Sequence, residues 1–256
     1  NMSDAREVTT PCEARVSKPT EPMTEEEERY MNDKEFNQGV GSLLWIARQT
    51  RPDIEWVTNH LSQFLSDPRP QHWRLFVRVL RHLKKTKHHV LRYERGKVFI
   101  PGRMMTDSDW APSESPERRS TSGYAFLIAG GAVSWKSKTQ KKTAQSTAEA
   151  ELIALSLGVQ ETMWIRRFLQ ELDIDDRNED GVVHIDVDNN ACKQIAENRM
   201  MSERTKHLDV KYFAVRDHIR EGHILVDRID TEKNVSDIFT KPLGATKFAI
   251  FRSSLG

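Results

Sequence analysis

Apolar positions in the first third of the chain recur at helical spacing. Phe36, Val40, Leu43, Leu44 and Ala47 form one stripe running to Gln49. Pro52 restarts the chain, and Ile54, Val57, Leu61, Phe64 and Leu65 form a second stripe. Pro68 and Pro70 end it, and Trp73, Phe76, Val77, Leu80 and Leu83 form a third. Three short helices without a sheet predict a small helical subdomain. After Gly96 the pattern changes. Tyr124 to Ala129, then Gly130-Gly131, then Ala132 to Trp135 read as two strands joined by a two-residue turn. From Ala148 to Leu172 the set Leu152, Leu155, Val159, Met163 and Phe168 follows a helical period. Val182 to Val187 is rich in β-branched residues with weak alternation, as in a buried strand. Asn189 to Glu197 and Thr205 to Arg220 are predicted helices, Ile224 to Ile229 another strand, and Val235 to Thr240 the start of a last helix stopped by Pro242. This order predicts an α/β domain, a mixed sheet flanked by helices, after the helical subdomain. Residues 1–33 hold Pro11, Pro19, Pro22 and the run Glu25 to Glu28 without periodic apolar positions, so they are expected to be a flexible lead-in. The expected division is thus 1–33, 34–97 and 98–256.

Composition narrows the function classes. The chain is 37% hydrophobic and 30% charged, and its apolar runs fall short of the roughly 18 residues that span a bilayer. No apolar stretch follows Asn1 to Asp4, so a signal peptide is not expected there. Cys12 and Cys192 match no CxxC spacing, and no HExxH is present, which excludes a disulfide scaffold and a thiolate zinc site. The net charge of +1 hides segregation: residues 1–35 carry ten acids against five bases, and residues 71–97 carry nine bases against Glu94 alone. The basic block, including Arg78, Arg81 and Lys84, suits either a phosphate backbone or a solvated helix face.

Four carboxylates fall where such a fold can converge them. Asp107 ends a short strand, Glu151 lies in the first turns of the long helix, Asp188 ends the buried strand, and Asp237 lies in the last helix. Sites in open α/β sheets form beyond the carboxyl ends of the strands. Clustered carboxylates stay ionised only around cations, and hard oxygen ligands select Mg²⁺ or Mn²⁺. Two such ions about 4 Å apart activate a water and stabilise a leaving phosphate oxygen. Each acid also has a structural reading: Asp188 as a helix cap, Asp237 as a first-turn helix acid, Asp107 as a turn residue. Glu149, Asp186 and Asp109 are the neighbouring alternatives.

The motifs Asp107-Ser108-Asp109-Trp110, Arg119 to Tyr124, Ser134 to Gln140, Ser146 to Leu155, Asp188-Asn189, Arg204 to Asp209 and Ser236 to Leu243 resemble, in order, the ribonuclease H domain of copia-type LTR retrotransposons. Val40 to Leu44 with Thr50 to Ile54 resembles the stretch after the polymerase palm of the same polyprotein, and similarity runs from about residue 36 to the end. The resemblance implies a ribonuclease H fold that cleaves the RNA strand of RNA–DNA hybrids. It places the catalytic, metal-binding acids on Asp107, Glu151, Asp188 and Asp237, with two Mg²⁺ or Mn²⁺ ions as cofactors. It further implies the rest of the polyprotein, its palm and fingers, as partner, and a virus-like particle or the nucleus as location. Residues 34–97 are similar to a thumb or connection segment. Departures are Met104-Met105 ahead of the first aspartate, Pro101-Gly102 before its strand, and the lack of histidine in Asp230 to Asn234. Tyr-x-Asp-Asp is absent, Asp173 to Asp176 imitating its letters in an acidic loop, so the chain is not expected to polymerise.

Lys136, Lys138, Lys141 and Lys142 join the basic helix as expected phosphate contacts, and His207, in a family motif, is either a nucleic-acid contact or a packed or capping residue. A hybrid is recognised by groove shape and 2′-hydroxyls, so little base preference follows. Trp135 either stacks on the nucleic acid or packs the hairpin. Two other readings stand beside the nuclease: a non-catalytic nucleic-acid-binding relic, and an integrase-type enzyme. The Ser236-Asp237-Ile238 segment and the missing His/Cys lead-in argue against the integrase.

Overall fold

The three apolar stripes become helices at the expected places. In a computed structural model, which describes residues 2, 4–17, 19–94, 102–113, 118–174, 182–197 and 210–256, α2 spans Phe36–Gln49, α3 Glu55–Ser62 and α4 Pro70–Lys85. Proline opens the 3-10 turn Pro52–Ile54 and the first turn of α4, where its missing N–H costs nothing. Their apolar faces bury Val40, Leu43, Ile54, Leu61 and Val79 in one core.

The expected flexible lead-in is corrected. Glu25–Met31 is a helix, α1, whose N-terminus is closed by a capping box between Thr24 and Glu27. Cys12 and Met31 are buried in the same core as α2–α4. Short, irregularly spaced contacts hold this segment, and they leave no period in the sequence.

Five strands form one mixed sheet in the order β3-β2-β1-β4-β5. They are β1 Arg103–Asp109, β2 Thr121–Ile128, β3 Gly131–Thr139, β4 Val183–Val187 and β5 Ile224–Arg228. β1, β2 and β3 pair antiparallel, while β4 pairs parallel to β1 and β5 parallel to β4. The long helix α5, Thr147–Glu171, carries the chain from β3 at one edge across to β4. α6 (Asn190–Glu197) and α7 (Val210–Arg220) connect β4 to β5. Alternation along β1 sends Met104 to the core under α5 and Met105 to the opposite face. That second face is covered by the 3-10 turn Val235–Phe239 and by α8, Ala245–Ser254. The predicted last helix is therefore a 3-10 turn, and Pro242 precedes a further helix that the pattern did not indicate.

The hairpin turn sits one residue earlier than predicted. Ala129 and Gly130 occupy it, with φ of 52° and 81°, as a turn matched to strand twist requires. Gly131 instead pairs with Ile128, and a Cβ on it would meet Arg92 O at 2.6 Å. Its glycine serves close approach rather than the turn. The helical subdomain packs on the β3 edge: Trp135 Nε1 donates to Ala47 O (2.9 Å) and Gln63 Nε2 to Thr139 Oγ1 (2.9 Å). Trp135 is thus a packing residue, not a stacking platform. Among the described residues, no helix is long and apolar enough to cross a membrane.

Candidate active site

Three of the four expected acids converge. One carboxylate oxygen each from Asp107, Glu151 and Asp188 lies within 4.8 Å of the others. Asp107 is in β1 opposite Gly123 of β2, Glu151 is one turn into α5, and Asp188 follows β4 directly. β1 and β4 are adjacent and parallel, so their carboxyl ends bring Asp107 and Asp188 side by side. Asp107 and Glu151 are 2% and 4% exposed. Ser146 caps α5 through Glu149 N, and that fixes where the first turn begins.

The structural alternatives for these acids are taken by other residues. Asn189 Oδ1, not Asp188, caps α6 by accepting from Cys192 N at 3.0 Å. Glu149 accepts from Gln145 N at 2.7 Å at the start of α5. Asp186 is fully buried in an ion pair with Arg103, and Asp109 is held by Arg15. Neither of those near neighbours is available to the cluster.

Burial dominates the electrostatics. It pushes Asp107 up from 3.8 to about 7, with Asp237 and Asp188 adding repulsion and Lys241 and Thr240 opposing it. Glu151 is raised well above its usual range by burial and then by Asp107 and Asp188. Thr240 Oγ1 donates to Asp107, and Ser108 N donates to Glu151 Oε1 at 3.3 Å. Glu151 Oε2 is buried with no hydrogen-bond partner. An orphaned carboxylate oxygen on one of three clustered acids is what a hard divalent cation would satisfy, so the residues fit Mg²⁺ or Mn²⁺.

Asp237 differs. It is fully buried beside Asp107, but Lys241 Nζ lies 2.7 Å from its Oδ1 and Lys247 Nζ 2.9 Å from its Oδ2. Burial raises its pKa, yet the two ammonium groups outweigh this and hold it below the usual carboxylate range. It stands outside the three-acid set, one residue away in space through Asp107. Thr240 and Lys241 lie within the motif Ser236 to Leu243, and the sequence alone assigns them no role. The signal was their spacing, three and four residues after Asp237 on one helical turn.

The basic residues divide. Arg78 pairs with Glu13 at 2.6 Å and Thr10 at 3.1 Å, and Lys84 donates to Ala5 O at 2.9 Å. The N-terminal segment covers this helix face, which corrects the expectation that Arg78 and Lys84 are open to phosphates. Arg81 is half-buried on the same helix. Lys136, Lys141 and Lys142 are exposed and Lys138 is half-buried. Lys136 and Lys138 stand level with Tyr124 and Ser122 across the ladder, on one face of β3. His207 lies outside the described residues, as does Asp175-Asp176 of the acidic loop.

No family model matches the chain. It is 35% identical over 258 residues to the retrovirus-related Pol polyprotein from transposon TNT 1-94 of Nicotiana tabacum, covering 100% of this chain and 19% of that protein. It is 32% identical over 257 residues to the Pol polyprotein from transposon RE1 of Arabidopsis thaliana, covering 17% of it. The chain thus spans less than a fifth of the length of these relatives. It is also 42% identical over 136 residues to the secreted RxLR effector protein 161 of Plasmopara viticola, covering 53% of this chain and 94% of that protein. Among solved structures, the ribonuclease H1 called LC11, isolated from compost, is similar at 16% identity and a TM-score of 0.40, covering 55% of this chain and 92% of that one. The described strands form a mixed sheet in the order β3-β2-β1-β4-β5, with the helix α5 crossing from β3 to β4. Similarity along its whole length to two transposon polyproteins, at 35% and 32% identity, establishes that the chain belongs to the retrovirus-related Pol polyproteins of transposons.

Proposed function

We propose that this chain is the ribonuclease H portion of a copia-type Pol polyprotein and that it cleaves the RNA strand of RNA–DNA hybrids with Mg²⁺ or Mn²⁺. The observation that carries this reading is the convergence of buried Asp107 and Glu151 with half-buried Asp188 within 4.8 Å. Residues 98–256 would be the nuclease domain and 34–97 a helical connection, with the palm and fingers of the longer polyprotein as partners.

Asp107, Glu151 and Asp188 would hold a divalent cation, which would supply neutralisation of their charge, activation of the attacking water and stabilisation of the leaving oxygen. The chain's own groups hold and orient. Thr240 fixes the Asp107 rotamer by donating to it, and the Ser108 N–H turns Glu151 toward the other acids. Lys241 Nζ, 4.0 Å from Asp107 and anchored by Asp237, sets a positive charge at the rim, where a scissile phosphate would be drawn. Asp237 then acts by aiming Lys241, and it reaches an ion only by exchanging its two lysine partners for one. Lys136, Lys138, Lys141 and Lys142 supply the hybrid backbone contacts.

The test is a gel assay of the purified chain on an RNA-labelled hybrid with Mg²⁺. The expected result is shortened RNA, no cleavage of duplex DNA, and loss of activity with EDTA. Asp188→Asn should lower turnover by about a hundredfold or more, as loss of a positioned metal ligand does. Undiminished cleavage by Asp188→Asn would overturn the assignment. A wild-type chain that binds hybrid without cutting would support the binding relic.

A further inference from the structure

The turn between α7 and β5 carries histidines that the nuclease reading does not use. α7 ends in a Schellman motif: His223 N donates to His218 O at 2.9 Å and Gly222 N to Ile219 O at 3.1 Å, with Gly222 at φ +71°. That motif brings the side chains of its first and last residues together, usually as an apolar contact. Here both positions are histidine. Their Nδ1 atoms stand 3.3 Å apart, and Glu221 Oε2 lies 3.3 Å from His223 Nδ1.

We propose that His218, Glu221 and His223 form a second metal site, taking a borderline divalent ion such as Zn²⁺. Bonds of about 2.0–2.1 Å to a tetrahedral zinc place neighbouring ligand atoms about 3.3–3.4 Å apart. Both measured separations have that value. One ligand atom from each of the three residues lies within 4.8 Å of the others, forming a cluster distinct from the carboxylate site. Two imidazoles and one carboxylate suit Zn²⁺ over Mg²⁺, which asks for an octahedral oxygen shell. A fourth position is left for water.

The scaffold is rigid where it matters. Arg166 Nη1 donates to His223 O at 3.1 Å and fixes the backbone at the far end of the turn. Ile224 pairs with Val183 at the start of β4, so the site lies at the opposite end of these strands from Asp188. An ion there would clamp α7 to the edge strand β5 without touching the carboxylates.

Zinc binding by the whole chain is measured by titration calorimetry in excess Mg²⁺, which keeps the carboxylate cluster occupied. Co²⁺ absorption serves as an independent probe, since tetrahedral nitrogen-containing sites absorb far more intensely than octahedral oxygen sites. One equivalent of Zn²⁺ should bind, and its affinity should fall by about tenfold or more in His218→Gln and in His223→Gln, because losing a ligand costs at least as much as losing a partner that supports one. Glu221→Ala, at an exposed position, should weaken it too and carries no folding risk. Glu151→Gln should leave it unchanged. Binding that survives the His218→Gln/His223→Gln double variant, or that disappears in Glu151→Gln, overturns the site. Since hybrid cleavage is not the readout, failure here leaves the nuclease reading standing.

Discussion

Asp107 is where burial and chemistry collide. Its folded pKa of about 7 lies above the ordinary 3.8, so the protonated carboxyl is the form that folding favours. The stability this confers is present below the ordinary value and is lost as pH rises through about 7. Without divalent cations the melting temperature should therefore fall between pH 4 and pH 8, and Glu151, raised by the same burial, adds to the slope. Asp107→Asn should flatten this profile and raise the melting temperature at pH 8 by a few degrees, about 1–2 kcal/mol for a chain of this size. Mg²⁺ should restore the wild type at high pH and leave the variant unmoved. Melting curves in EDTA across pH check this. Parallel profiles for the two proteins would mean that Asp107 is hydrated and that the cluster is not the low-dielectric cage its burial indicates.

At the scale of elements, the face that carries the acids depends on a close approach between the sheet and one 3-10 turn. A Cβ on Gly123, the residue paired with Asp107, would meet Phe239 Cβ at 2.7 Å, Thr240 Cγ2 at 2.8 Å and Ser236 O at 3.0 Å. Two of those are anchored near or in the backbone, so Val235–Phe239 must move. Gly123→Ala should cost about 1–3 kcal/mol of overpacking. Because Thr240 and Asp237 ride on that turn, turnover should fall by about tenfold or more from misplacement alone. Turnover and melting temperature on the same preparation decide it: normal activity would mean that the turn's position does not matter to the acids. Most elements were legible beforehand. The stripes of α2, α3 and α4, the β-branched run of β4 and the period of α5 are local patterns fixed by burial on one face. The 3-10 form of Val235–Phe239 was not, because it is imposed by packing against Gly123. α8 was hidden behind Pro242, and its apolar positions Phe248 and Phe251 are too few to show a period. Within the site, Asp107, Glu151 and Asp188 were visible as strand ends and a helix start. The lysine partners that withdraw Asp237 were not, since pairing with Lys247 depends on where α8 comes to lie.

At the scale of the whole molecule, Arg15 is the joint. From the segment expected to be a flexible lead-in, it pairs with Asp109 at the end of β1, donates to Thr240 O at 2.7 Å, and lies over the Trp56 ring of α3 at 5.0 Å. One guanidinium thus ties the N-terminal segment to the sheet, to the Val235–Phe239 turn and to the helical subdomain. A contact spanning 94 residues has no local signature, which is why the sequence pattern showed only a proline-broken acidic stretch. Nearby, His60 Nε2 lies 3.0 Å from Val16 O, pinning the next residue to α3. Arg15→Met keeps the aliphatic stem over Trp56 but removes the charge and the two donor contacts. It should lower stability by about 1–3 kcal/mol, less than for a fully enclosed pair because Asp109 keeps some water. It should also speed proteolysis between residues 10 and 30 and reduce hybrid cleavage, since Thr240 loses its anchor, while Mg²⁺ affinity changes little. Arg78→Met, which removes an ion pair of the same segment away from the Val235–Phe239 turn, is the control: proteolysis should rise without loss of turnover. If Arg15→Met and Arg78→Met behave alike in cleavage, the segment is a simple cover over α4 and Arg15 does not couple it to the acids.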